Sequence, residues 1–271
     1  MRLHYIFFLL LFIKLLSFAQ TYEDHVNKAN EFMGLKKYDD AMSEVNKAIK
    51  KDPKKAWGYN VRGMIYRQKE NYISALSDYS KAIEIDPEYK EAYNNRGVLY
   101  YKNSEYKMAI LDFNKAIEIE PNFASAYNNR GVVYKILEEN THALEDFNIA
   151  IKLNPNYGKA YWHRGTIYHK SNEYEIALSD YNKAIELEPK ANDAYYSRGT
   201  LYLQLEKYDE ALSDFNKAIN LWKKEADYFY NRGIVYQKLN DNTNAINDYE
   251  KAIELNPKLE TDLRSIIDGL K

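Results

Sequence analysis

The stretch EAYNNRG at 91–97 returns as AYNNRG at 126–131, placing an arginine, two side-chain amides and a glycine directly behind a tyrosine. Residues of these types serve three chemistries. Arginine beside glycine can hold a phosphate, arginine with tyrosine can stack on nucleic acid, and paired amides can hold a peptide backbone. Other chemistry-bearing groups are sparse. The five histidines, His4, His25, His142, His163 and His169, form no H-E-x-x-H motif and no pair four residues apart, so no metal ligand set is expected. With no cysteine, disulfides, thiolate metal sites and a cysteine nucleophile are excluded. No set of residues is left over to build a catalytic pocket. The expectation is a protein that is not an enzyme and uses no cofactor.

The elements that carry these residues are set by a repeat. Prolines fall at 53, 87, 121, 155, 189 and 257, in steps of 34 with one step doubled where Lys223 stands. Gly63, Gly97, Gly131, Gly165, Gly199 and Gly233 keep the same step. Two residue types sharing one period mark a tandem array of seven units: 22–55, 56–89, 90–123, 124–157, 158–191, 192–225 and 226–259. Within each unit, places 4, 8 and 11 form one helical stripe and places 20, 24, 27 and 28 another. Proline at place 32 stops the second helix. Each unit therefore reads as two antiparallel helices that must stack on neighbours to bury both stripes. The residues 260–271 continue the spacing with Leu263, Ile266, Ile267 and Leu270, and read as a capping helix with Arg264, Asp268 and Lys271 toward water. At the other end, His25 and Lys28 put polar residues where no earlier unit would cover them.

The pattern of aromatic 4, small 8, aromatic 11, Ala 20, aromatic 24, Ala 27 and Pro 32 resembles the tetratricopeptide repeat family over residues 22–259. That resemblance implies an all-α, right-handed α-solenoid, a superhelix of antiparallel helix pairs whose concave groove binds protein segments. Two departures stand out. Place 7 holds Lys28 and then six arginines where an apolar residue is usual, and the family's common glycine at place 15 is replaced by residues such as Glu70, Ser104 and Asn172.

The glycine at place 8 interrupts a helix at a cost of about 1 kcal/mol relative to alanine, and is expected to permit close approach against the alanine at place 20. It is not part of a phosphate loop, which needs several glycines after a strand. The arginine at place 7 varies together with an acid at place 23 (Asp78, Asp112, Asp146, Asp180, Asp214 and Asp248, with Glu44 beside Lys28). A ladder of Arg–Asp pairs is therefore expected, between the two helices of a unit or between neighbouring units. With an acid matched to each place-7 arginine, a nucleic-acid stripe is disfavoured, and the period of 34 rather than 35 disfavours nucleic-acid binding of the kind seen in the related pentatricopeptide arrays. Places 4, 11, 17 and 24 hold 19 of the 27 tyrosines, which assigns most of that excess to packing.

The resemblance places the groove at places 2, 5, 6, 9, 12 and 13 of the first helices. Place 5 runs through Asn60, Asn94 and Asn128 and then Trp162, Tyr196 and Tyr230, with Asn95 and Asn129 added at place 6. The five amides look like the asparagine ladder with which protein O-linked N-acetylglucosamine transferases hold extended peptides, and the three aromatics would anchor apolar side chains. No unit has lysine at place 5, which the chaperone-tail carboxylate clamp requires. The expected function is a non-catalytic scaffold binding an extended peptide or protein segment. The alternative is a structural or assembly subunit of an exported or envelope complex that uses its edges or convex face, including as a homo-oligomer.

The first residues point to a compartment. Arg2, an apolar run from Tyr5 to Ile13 and Ser17-Phe18-Ala19 describe a secretory signal peptide over 1–19, with Gln20 starting the mature chain. The expectation is an exported protein, periplasmic or secreted, with no membrane attachment after cleavage. The alternative is an uncleaved N-terminal anchor helix, against which stand Lys14 inside the run and an apolar length short of the roughly 20 residues of a span. The formal net charge of −2 gives no global attraction for nucleic acid or anionic lipid.

Overall fold

The computed structural model describes residues 20–271, and the expected leader at 1–19 lies outside them. The described residues form fifteen α-helices and one short 3-10 turn, with no strand. In chain order these are α1 (Tyr22–Gly34), α2 (Tyr38–Lys51), α3 (Ala56–Gln68), α4 (Tyr72–Ile85), α5 (Lys90–Lys102), α6 (Tyr106–Ile119), α7 (Ala124–Ile136) and α8 (Asn140–Leu153). They continue with α9 (Gly158–Lys170), α10 (Tyr174–Leu187), α11 (Asn192–Gln204), α12 (Tyr208–Leu221), α13 (Ala226–Lys238), α14 (Asn242–Leu255), the 3-10 turn Pro257–Leu259 and α15 (Glu260–Leu270). No helix among these residues is long and apolar enough to cross a membrane. The chain divides into two compact units, one reaching Val133 and the other running Tyr134–Lys271. Each is a stack of helices packed on their sequence neighbours: the pairs α1–α2, α3–α4 and α5–α6 in the first, and α9–α10, α11–α12 and α13–α14 in the second, where α15 follows.

The turn inside each pair is made by one left-handed residue. Lys36, Glu70, Ser104, Glu138, Asn172, Glu206 and Asn240 all have φ between 58 and 62°. The two amides at and after this residue reach back to the last helical carbonyls, as in Lys36 N to Met33 O (3.0 Å) and Lys37 N to Phe32 O (2.8 Å). This is the Schellman arrangement that usually carries glycine. Here the missing glycine at place 15 changes the residue but not the backbone, because the second helix, docked on the first, holds the turn closed.

The second helices end in extended residues such as Asp86, Glu120 and Asn154, and proline follows each of these. Where Lys223 replaces proline, Trp222 keeps the same extended backbone (φ −148°, ψ 109°). The stop therefore does not depend on the proline ring alone.

Close packing inside a pair is set by the glycine at place 8, but its partner is not the alanine expected from the sequence. A Cβ added to Gly63 would lie 2.6 Å from the Tyr79 ring, and one added to Gly97 would lie 2.7 Å from Phe113. Gly165, Gly199 and Gly233 face Tyr181, Phe215 and Tyr249 in the same way. The reason is size. The aromatic at place 24 is fully buried and must lie flat against the first helix, and only a residue without a side chain leaves room. The alanines at places 20 and 27, also fully buried, fill the narrow crossings around it.

The arginine ladder joins both the helices of a pair and successive pairs. Arg62, Arg96, Arg164, Arg198 and Arg232 each present a two-pronged fork to the aspartate sixteen residues on, with N–O distances of 2.7–2.8 Å. The remaining Nη1 reaches sixteen residues back, to Asn46, Ser80, Asn148, Asn182 and Asn216 on the preceding second helix. The aspartates are buried, and the guanidinium groups are flanked by tyrosines, for example Tyr93 and Tyr100 at 5.7 and 5.9 Å from Arg96. Much of the tyrosine excess thus covers the rungs of this ladder.

The polar start of the first pair is arranged differently from the open end read in the sequence. His25 is buried, and its Nδ1 lies 2.7 Å from the buried Glu44 carboxylate. Lys47 also bonds Glu44 at 2.7 Å, while Lys28 stays 3.9 Å away. Lysine is too flexible to replace the arginine fork, and the imidazole occupies the position nearest the acid. At the other end, Leu263 and Ile267 of α15 are buried against α14, and Arg264 bonds Glu250.

Candidate functional site

The first helices α3, α5, α7, α9, α11 and α13 bring places 5, 6, 9 and 12 onto one face in each unit. In the first unit the five asparagines are wired to each other. Asn95 Nδ2 donates to Asn60 Oδ1 at 3.0 Å, and Asn129 Nδ2 donates to Asn94 Oδ1 at 2.9 Å. Asn60 also donates to the Tyr89 hydroxyl at 3.3 Å, and Asn128 to Asn129 Oδ1 at 3.3 Å. The rule is that place 6 of one repeat bonds place 5 of the repeat before it. Asn60 and Asn128 are buried, whereas Asn94, Asn95 and Asn129 are half-exposed. The amides form an inter-repeat belt, with Asn94 Nδ2 and Asn95 Oδ1 as capacity left over.

The second unit uses the same register with different chemistry. The Trp162 indole N–H donates to Ser197 Oγ at 2.9 Å, and Asn231 Nδ2 donates to the Tyr196 hydroxyl at 2.9 Å. Tyr196 lies against Phe215 and Tyr228, and Tyr230 against Tyr249. All three aromatics read from the sequence are half-buried. Two depressions flank the Trp162–Ser197 bond. One of about 210 Å³ lies on the side of Gly158, Lys159, Glu188 and Asn192. The other, about 300 Å³, is walled by Thr166, Tyr181, Tyr196, Ser197 and Thr200.

Two further neighbours complete this region, His163 at place 6, which the sequence also put on the groove face, and Lys135, which the sequence reading missed. The His163 ring, beside Trp162, is tilted against the indole (4.4 Å) and stacked on the Phe147 ring (5.6 Å). Burial pushes its pKa down to about 3, which keeps the imidazole neutral. Lys135, at place 12 of α7, lies over the Trp162 ring at 5.7 Å. Its signal was available, since place 12 otherwise holds Met33, Arg67, Tyr101, His169, Leu203 and Gln237, with lysine in this unit alone. Among the described residues no group of three metal-ligating side chains is gathered anywhere. The arrangement offers donors, acceptors and ring faces, and is suited to holding a ligand.

Known proteins with this architecture are numerous. The family profile described as "Tetratricopeptide repeat" matches residues 91–123, 124–157, 193–224 and 226–259, and one described as "TPR repeat" matches 63–104 and 165–206. No curated protein matches. Among solved structures, a chain of the APC/C hetero-tetramer Cut9-Hcn1 superposes with a TM-score of 0.75 at 16% identity. That match covers 88% of this chain and 51% of the other, so this chain spans about half the length of that relative. A tetratricopeptide repeat protein from Parabacteroides merdae ATCC 43184 gives a TM-score of 0.64 at 23% identity, covering 93% and 98% of the two chains. YrrB, described as a TPR protein with an unusual peptide-binding site, gives 0.53 at 28% identity over 69% of this chain and 96% of its own. The repeat read from spacing, the paired helices and these matches agree: this chain belongs to the tetratricopeptide repeat family, whose fold generally serves as a scaffold for protein–protein interaction.

Proposed function

We propose that the protein is a non-catalytic scaffold that holds an extended polypeptide along the face of its first helices. The observation that carries this reading is the belt joining places 5 and 6. Its side chains are already ordered by bonds to each other, so a ligand need not immobilise them. Half-buried Trp162, Tyr196 and Tyr230 add apolar anchors of the type enriched at binding hot spots. The likeness to YrrB, which has a peptide-binding site, supports the same use. The leader-like residues 1–19 support export, to the periplasm or beyond the cell, where the partner would be met.

The test is retention of immobilised twelve-residue peptide pools by the full chain and by a Trp162→Ala, Tyr196→Ala variant, with helicity followed by circular dichroism. The variant is expected to lose retention by about 10-fold or more while keeping its helices. Undiminished retention would reject this face as the binding surface and return the assembly reading, in which edges or the convex face carry the interaction.

A further inference from the structure

Lys135 stands out among the lysines of the second unit because it is half-buried while no carboxylate of the described residues lies within ion-pair distance of it; others there without a carboxylate partner, such as Lys159 and Lys190, are exposed. The Lys135 Nζ is 3.2 Å from Thr166 Oγ1 and 3.4 Å from His163 Nδ1, and both groups are neutral. Nearby Lys170 shows the contrast, since Glu138 pairs with it at 2.8 Å. Lysine is also dispensable at this place, where the other units carry five further residue types as well as an arginine. Burial with no opposing acid lowers the Lys135 pKa, which means that the folded protein holds this charge at a cost. The Thr166 hydroxyl beside it forms part of the wall of the 300 Å³ depression, which contains no carboxylate and whose single lysine is Lys170.

We propose that Lys135 is the anchor for a carboxylate side chain, Asp or Glu, of the polypeptide held on this face, with the Trp162 ring bounding the subsite. This rests on the reading of the face as a polypeptide-binding surface. The single unanswered ammonium matches one negative charge, and a carboxylate supplies one. A phosphate would bring nearly two and leave the excess in a neutral, aromatic surround. The ammonium has three donors, and the two neutral contacts leave one for the incoming oxygen.

The test uses the full chain and three peptide pools, randomised except for a fixed central Glu, Gln or phosphoserine. The parent is expected to retain the Glu pool about 10-fold over the Gln pool. Lys135→Met should retain both pools at the Gln level and Lys135→Arg should keep the preference. Removing an unanswered charge should also raise the Tm of Lys135→Met by about 2–4 °C, a response that a lysine paired within the protein would not give. Equal retention of Glu and Gln pools by the parent would overturn the acid anchor while leaving the binding face standing. Loss of all three pools would reject both readings. A preference for phosphoserine over Glu, a Glu preference surviving in Lys135→Met, or a lowered Tm in that variant would each overturn the assignment.

Discussion

At the scale of single residues, the ionised groups of this protein are mostly structural. The Asp112 carboxylate is buried and accepts both prongs of Arg96 at 2.8 Å, while Arg96 also donates to Ser80 of the preceding second helix. Removing the acid leaves a half-buried guanidinium unanswered. Breaking a fully buried pair costs about 3–5 kcal/mol. Because the Arg96 side chain keeps 18% exposure, the expected loss for Asp112→Ala is at the lower end, roughly 2–4 kcal/mol. Urea denaturation measures this directly, and a midpoint equal to that of the parent would remove the ladder from the account of stability. The pairing also explains why a row of arginines need not indicate nucleic acid: the forks of Arg62, Arg96, Arg164, Arg198 and Arg232 are each closed by an aspartate on the next helix.

At the scale of the element, the helix-to-helix turn holds the clearest local conflict between residue and backbone. Glu206 sits at φ 58° with its amide bonded to Leu203 O, a conformation that costs a side-chain-bearing residue about 1–2 kcal/mol relative to the right-handed region. Glycine adopts it freely but loses more freedom on folding, about 0.5–1 kcal/mol. Glu206→Gly is therefore expected to stabilise by roughly 0.5–1 kcal/mol net, read as a higher midpoint in thermal and urea melts. A destabilised variant would show that the glutamate side chain contributes more than its backbone strain removes. The same logic explains Gly97 in the opposite sense. There the requirement is space for Phe113, not backbone freedom, so added bulk rather than φ is what the element cannot accept.

At the scale of the whole molecule, each unit is a stack in which an element contacts chiefly its neighbours, and stability is the sum of those interfaces. The last interface in the second unit is α15 on α14, where Leu263 and Ile267 are fully buried. Ile267→Ala is expected to cost about 2–5 kcal/mol. In a stack that loss is local, so hydrogen exchange should rise first in α14 and α15 while the α9–α10 pair keeps its protection. Uniform loss of protection across the second unit would instead show one cooperative body. A scaffold of this kind binds through variation that leaves the stack intact, which is why Lys135 and Trp162 can differ from their counterparts in other repeats without disturbing the pairs.

The 34-residue period by itself determined the helix pairs, their order and the matched arginines and aspartates, because stacking imposes the same packing on every repeat and writes it into the spacing. The face of the candidate site followed from the family resemblance, and its places 5 and 6 are not free of packing, since they bond between repeats and leave Asn60 and Asn128 buried. Spacing alone did not show that Asn95 bonds Asn60 and Asn129 bonds Asn94, that the glycine at place 8 faces an aromatic, or that His25 is buried on Glu44. Nor did it show that Lys135 has no acid beside it among the described residues. Those outcomes depend on which side chains of adjacent helices come within a few ångströms, and only the tertiary structure decides that distance.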